Sequence, residues 1–171
     1  MLDPVMFWVS KTLVWLPLFV VILFLVIRTF HWKTIIVILS AALLITLSDQ
    51  LTNLSKNGFQ RLRPSQETNL VTKVHTVNHY QGGQYGFYSA HASNTFAIAI
   101  FLMVLFKRKY RCLTVFLLGW AALMSYSRIY LGVHYPGDIL AGILIGSLLG
   151  LGFGLLTRNL LNRTVVRINQ V

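Results

Sequence analysis

Five stretches of the chain, roughly 12–28, 34–52, 90–106, 112–131 and 138–157, are apolar for close to the length of a bilayer crossing. A helix needs about 20 mostly apolar residues to span the hydrocarbon core. In that medium the backbone must satisfy its own hydrogen bonds, and unbroken apolar runs of this length do so as helices. The chain is 56% hydrophobic and 11% charged over 171 residues, where a soluble domain carries about 25% charged residues. The sequence therefore predicts an all-α, integral-membrane helical bundle with about five transmembrane helices, in one domain covering 1–171. The first span is the most interrupted, because Lys11 and Pro17 fall at its start. Ahead of it, Asp3-Pro4 reads as a helix start, an N-cap acid with proline at the first helical position. The segment VMFWVSKTLVW that follows is expected to lie at the interface as an N-terminal helix. No short apolar run ends at a small-residue cleavage site, so the first span is expected to act as an uncleaved anchor. Cys112 is the single cysteine, which excludes an internal disulfide.

The net charge of +11 invites a nucleic-acid reading, but the placement of the charges opposes it. Five spans put the Arg28–Lys33 loop, the loop at 107–111 and the C-terminal tail on one side, with nine of the fifteen lysines and arginines. The remaining six, Lys11, Lys56, Arg61, Arg63, Lys73 and Arg128, fall on the other side. By the positive-inside tendency the richer side is cytoplasmic. The expected localisation is the inner membrane, multi-pass, with the polar segment 53–89 facing the periplasm and the C-terminus in the cytoplasm. Basic loops in this pattern set topology and meet anionic lipid, and no nucleic-acid partner is expected.

Within the bundle, Gly142, Gly146, Gly150 and Gly154 repeat every four residues along the fifth span. Such a smooth stripe admits a second helix at close range, and packing inside the bundle is favoured over dimerisation. The second span ends in SDQLTNLSK, where Asp49, Asn53 and Lys56 fall on one helical face. Segment 57–88 is the long polar stretch, with turns expected at Gly82, Gly83 and Gly86. Ser89 is placed to cap the third span.

Charges at membrane depth are costly and need a reason. Three clusters stand out: Lys56 with Arg63-Pro64, then Tyr88-Ser89-Ala90-His91, then Ser127-Arg128 with His134 and Asp138. The five-span topology sends all three to one rim of the bundle. Lys56, Arg63 and Arg128 are three cations with too few acids nearby to neutralise them. Lys56 and Arg63 are expected to lie on one helical face, about 10 Å apart along the axis. The third and fifth spans also point their N-termini at this rim, adding unpaired N–H groups and positive dipole ends. A surplus of donors of this kind suits a tetrahedral oxyanion, which arginine can grip through two oxygens. His134 and Asp138 are four residues apart at a helix start. The acid can accept one ring N–H and leave the other nitrogen free as a nucleophile. His91, from another helix, can protonate a leaving oxygen.

KNGFQRLRP and SRIYLGVHYPGD, with YSAH between them, resemble the three-motif signature of the type 2 phosphatidic acid phosphatase superfamily, KxxxxxxRP, PSGH and SRxxxxxHxxxD. The resemblance covers about residues 35–157. It implies that His134 becomes a phosphohistidine, that Asp138 orients it and that His91 serves as the acid. It also implies that Lys56, Arg63, Ser89 and Arg128 hold the phosphate, with no metal and no other cofactor. The second motif departs from the pattern: Tyr88 stands in place of proline and Ala90 in place of glycine. Ala90 can still offer its backbone N–H to phosphate, and Ser89 can still cap the helix.

The expected function is hydrolysis of a phosphomonoester or diphosphate on a lipid whose tail stays in the membrane. Undecaprenyl diphosphate is placed first, ahead of phosphatidylglycerol phosphate and a lipid A phosphate. Two other classes use comparable features: a vanadate-binding haloperoxidase-like enzyme, whose branch is soluble, and a small transporter, which would carry polar residues along its helices. Asp49 is expected to be structural, pairing within the bundle or with Lys56. His75 and His79 have the i, i+4 spacing of zinc ligands if helical, but lack a cysteine or a second acid beyond Glu67, so metal binding there is disfavoured. Trp8, Tyr80 and Tyr85 read as interfacial aromatics. Arg61 and Lys73 are open between binding a second phosphate or sugar and having no role.

Overall fold

The structure, a computed structural model, describes residues 2–107 and 109–168, with side chains described as far as Arg163. Arg108 and the end of the tail, which contribute to the charge reading, lie outside the described residues. Six α-helices follow one another: α1 Asp3–Val9, α2 Leu16–Phe30, α3 Thr34–Phe59, α4 Ala90–Phe106, α5 Arg111–Tyr130 and α6 Pro136–Ile168. Segments 12–59, which holds α2 and α3, 111–130 and 136–163 are long and apolar enough to cross a membrane, and α4 is a shorter apolar helix of 17 residues.

The five spans and the short N-terminal helix are present, with corrected ends. Pro17 does not interrupt α2; it sits in the first turn, where its missing N–H costs nothing. Leu2, not Asp3, is at the N-cap of α1, and Asp3 has a different task. Its Oδ1 accepts from the Tyr130 hydroxyl at 2.6 Å and lies 3.0 Å from His75 Nε2, tying α1 to α5 and the outer loop.

The largest correction concerns the first motif. α3 runs on through the polar SDQLTNLSK segment and stops at Phe59, where Gln60 takes the left-handed conformation and its N–H bonds Lys56 O at 3.0 Å. Pro64 holds the preceding Arg63 extended, at φ −72° and ψ 155°. Lys56 and Arg63 therefore do not share a helical face. The extended segment pairs with the far end of the outer loop, through a Leu62–Tyr85 bridge and the bonds Arg63 N–H to Gln84 O and Gly86 N–H to Arg61 O.

The helices alternate in direction. Thr29 bonds Tyr110 and Lys33 bonds the Leu161 carbonyl, which places the ends of α2 and α5 and those of α3 and α6 together. The motif residues consequently gather at the opposite end. α4 is the central helix, with Ala97, Ala99 and Phe101 fully buried. In lipid no hydrophobic force pushes helices together, so close backbone approach has to hold them. The glycine stripe of α6 supplies it against α4: a Cβ at Gly146 would fall 2.1 Å from Ser93 O, and one at Gly150 2.3 Å from Ala97 O. On the far side of α6, Leu140, Leu144 and Leu148 remain 61–67% exposed, a face suited to acyl chains.

Candidate active site

The expected site residues converge from four helix ends and one loop. Lys56 arrives on the last turn of α3 and is half-buried. Ser89 caps α4, its Oγ accepting from Ala92 N–H at 3.4 Å, and its own N–H bonds the Asp138 carbonyl at 3.1 Å. That bond fastens the second motif to the third. Ala90 and His91 follow in the first turn of α4. Arg128 sits in the last turn of α5. The chain then turns at Gly132, whose φ of +67° favours glycine and where a Cβ would meet the His75 carbonyl at 2.7 Å. This turn delivers His134 beneath the start of α6, where Asp138 lies in the first turn.

His134 and Asp138 are almost wholly enclosed, at 3% and 0% exposure. His134 Nδ1 lies 3.5 Å from Asp138 Oδ2, a close contact without hydrogen-bond alignment. Asp138 Oδ2 also accepts from the Tyr135 N–H at 2.9 Å. On the other side of the ring, Nε2 is 3.2 Å from Arg63 Nη1. Since arginine only donates, Nε2 is the acceptor and Nδ1 carries the proton in this arrangement. Burial pushes the His134 pKa down to about 4, with Arg63 and Arg128 adding to the effect and Asp138 opposing it. The ring is neutral at physiological pH, with its lone pair toward the cations.

Arg63 is buried, its guanidinium donating to the carbonyls of Tyr85 and Val133. Burial, then the Arg128 cation, lowers its pKa from the ordinary value. Arg128 donates to the Tyr80 hydroxyl at 3.2 Å, and its buried Nε has no partner. Among the described residues, no carboxylate forms an ion pair with Lys56, Arg63 or Arg128. Cations enclosed without a counter-ion suit an anion between them. His91 faces this group, with Arg128, His134, Lys56 and Arg63 as its charged and titratable neighbours.

Below His91 a cavity of about 540 Å³ descends between α2, α3, α4 and α5. Its walls are apolar down to Val26 and Val37 near the opposite rim; Asp49, His91 and Asn94 are at its polar end. Asp49 pairs with Asn94, whose Nδ2 donates to Oδ1 at 2.8 Å, rather than with Lys56.

Two residues beside the candidate site carry contacts that the sequence does not assign. Arg61 places Nη1 3.0 Å from Asp138 Oδ1, with its guanidinium 4.3 Å from the Tyr135 ring centre. The signal was present: in an extended segment residues two apart point the same way, so Arg61 accompanies Arg63 once the helix stops. Tyr80 is no plain interfacial aromatic; it holds Arg128 and packs edge-on against Phe7 of α1. His75 and His79 lie in irregular loop and turn, not on one helix face. Among the described residues, no three metal-ligating side chains cluster.

Residues 30–161 match the family model of the PAP2 superfamily. The chain is similar to a lipid A 4'-phosphatase of Bacteroides thetaiotaomicron, 42% identical over 144 residues, which are 82% of this chain and 61% of that protein. A lipid A 4'-phosphatase of Porphyromonas gingivalis is 35% identical over 152 residues, 88% of this chain and 64% of that protein. The chain thus spans somewhat over three fifths of the length of these relatives. An undecaprenyl-diphosphatase of Sulfolobus acidocaldarius shares 63% identity over 27 residues, 16% of this chain and 13% of that protein. In three dimensions the chain is similar to a transmembrane PAP2-type phosphatidylglycerolphosphate phosphatase of Bacillus subtilis, with a TM-score of 0.69 at 22% identity, covering 92% of this chain and 77% of that one.

Proposed function

The chain belongs to the PAP2 superfamily, and from that premise we propose that it hydrolyses a phosphate ester on a membrane lipid, a lipid A phosphate before an undecaprenyl diphosphate. The observation that carries this reading is the buried pair of cations around the acceptor nitrogen of His134, with Arg63 Nη1 3.2 Å from Nε2. A phosphate entering the pocket takes over the donors of Arg63 and Arg128 and replaces the contact between Arg63 and the ring. Nε2 then attacks phosphorus in line. The bond from phosphorus to the lipid oxygen breaks, and His91, protonated once the anionic phosphate is bound beside it, gives that proton to the oxygen. Asp138 keeps the Nδ1 proton and balances the charge of the phosphorylated ring. Water next attacks the phosphohistidine, His91 takes its proton, and inorganic phosphate leaves.

The cavity beneath His91 favours a lipid leaving group, because its apolar walls let a chain stay in the bundle while the ester oxygen reaches the histidine. The ranking within lipids rests on the two relatives similar over more than four fifths of this chain, both lipid A 4'-phosphatases. The undecaprenyl likeness covers 16% of the chain and supports that substrate far less. A panel of purified protein against lipid A, phosphatidylglycerol phosphate and undecaprenyl diphosphate tests the reading. Phosphate release should be fastest from lipid A, and His134→Ala should lose about 10⁴-fold or more, as when a nucleophile is removed from a histidine-based site. Retained turnover in that variant, or no release from any lipid, defeats the proposal.

A further inference from the structure

Resting on the phosphatase reading, we infer that Asp49 and Asn94 form a recognition site for the leaving group, selecting a phosphorylated alcohol that bears a hydrogen-bond donor beside its ester oxygen. An amino-sugar lipid is such an alcohol; a prenyl diphosphate is not.

Both residues line the apolar cavity together with His91. Asn94 is three residues beyond His91 on α4, just under one turn or about 4.5 Å deeper along the axis. Whatever is attached to the oxygen that His91 protonates must pass this pair before its chain reaches the apolar walls. A carboxyl at membrane depth is costly and calls for a partner. The only one among the described residues is the Asn94 amide, through Oδ1. Asp49 Oδ2 has no hydrogen-bond or ion-pair partner among them, and Asn94 Oδ1 is buried without one. The orientation of the Asn94 amide follows from that bond, since only its nitrogen can donate to the carboxylate. Asp49 Oδ2 is therefore the acceptor left to meet the leaving group, while Asn94, whose Oδ1 is enclosed, holds the carboxylate in place.

The complementary ligand brings O–H or N–H groups. A sugar ring carries hydroxyl or amide N–H groups next to the esterified carbon. The leaving group of a prenyl diphosphate is itself a phosphate, which presents acceptors to an acceptor. A site whose buried polar groups go unpaired with the wrong ligand discriminates far better than an apolar pocket does. The pair thus separates two lipid classes that the phosphate-binding residues alone would treat alike.

The test is a ratio. kcat/KM is measured for lipid A phosphorylated at the sugar and for a prenyl diphosphate, in the native protein, Asp49→Leu, Asn94→Leu and Asp49→Asn. Asp49→Leu should lower the ratio of sugar lipid to prenyl diphosphate by about tenfold or more, the loss of at least one well-placed hydrogen bond. Asp49→Asn keeps an acceptor oxygen and should restore most of it. An equal loss on both substrates would make the pair a helix–helix bond and overturn the inference, and so would an unchanged ratio. Should Asp49→Leu not fold, binding of the dephosphorylated sugar lipid to His134→Ala, with and without Asn94→Leu, is followed by tryptophan emission, Trp120 being in the cavity wall. Equal binding by the two proteins overturns the inference. If the native protein releases phosphate from no lipid, the phosphatase reading itself falls; if it does so without selectivity between the two classes, only the recognition site falls.

Discussion

His134 is held between Arg63 and Asp138, and its surroundings make several predictions. Its folded pKa of about 4 lies below the ordinary 6.5, so protonation favours the unfolded chain. The sign follows: stability is fully present above about pH 6.5 and declines as pH falls towards 4. An NMR titration should place the imidazole midpoint near pH 4. Arg128→Ala removes one of the cations that lower it and should move the midpoint upward; a midpoint left in place would mean Arg128 takes no part in setting it. Asp138→Asn should slow turnover by about 10³- to 10⁴-fold, the penalty of a misoriented tautomer, with the fold retained. Arg61 acts one step further out, 3.0 Å from Asp138 Oδ1 and 41% exposed at its side chain. As a positioning residue it should affect kcat rather than KM. Arg61→Ala should lose about tenfold, consistent with one charge-assisted contact, and Arg61→Lys should recover part of it. A loss confined to KM would make Arg61 a substrate contact instead.

Helix α6 divides its faces between two surroundings. Toward α4 it carries glycine, because Ser93 O and Ala97 O stand where a side chain would begin. Outward it carries leucine. Gly146→Leu should therefore separate the two helices and cost at least about 1–3 kcal/mol, the usual penalty of overpacking. Thermal unfolding in micelles measures this, with Gly152→Ala as the control, since nothing lies within 4 Å of that position. Equal stability of the two variants would contradict the packing described. The four-residue glycine spacing made this face legible from the sequence. The break at Gln60 was not legible in the same way, because a left-handed glutamine carries no strong local signal. The pairing of residues 61–63 with 84–86 helps hold the chain there.

Across the whole molecule the alternation of α2 to α6 sets every motif at one rim and the basic loops at the other. A site facing outward, the orientation the charge pattern predicts, would put exposed Cys112, near the start of α5, on the cytoplasmic side. In intact cells a membrane-impermeant maleimide should spare Cys112 and label a cysteine placed at Gly83 in the outer loop. The reverse pattern would invert the topology. The sequence by itself determined the spans, the rim and which motif residues gather there, since hydropathy and motif spacing are properties of consecutive residues. Tertiary structure alone decided that Arg61 grips Asp138, that Tyr80 restrains Arg128 and that Asp49 meets Asn94 above an apolar cavity. Those contacts join residues 45, 48 and 77 positions apart, and no local periodicity encodes which side chains such a fold brings face to face.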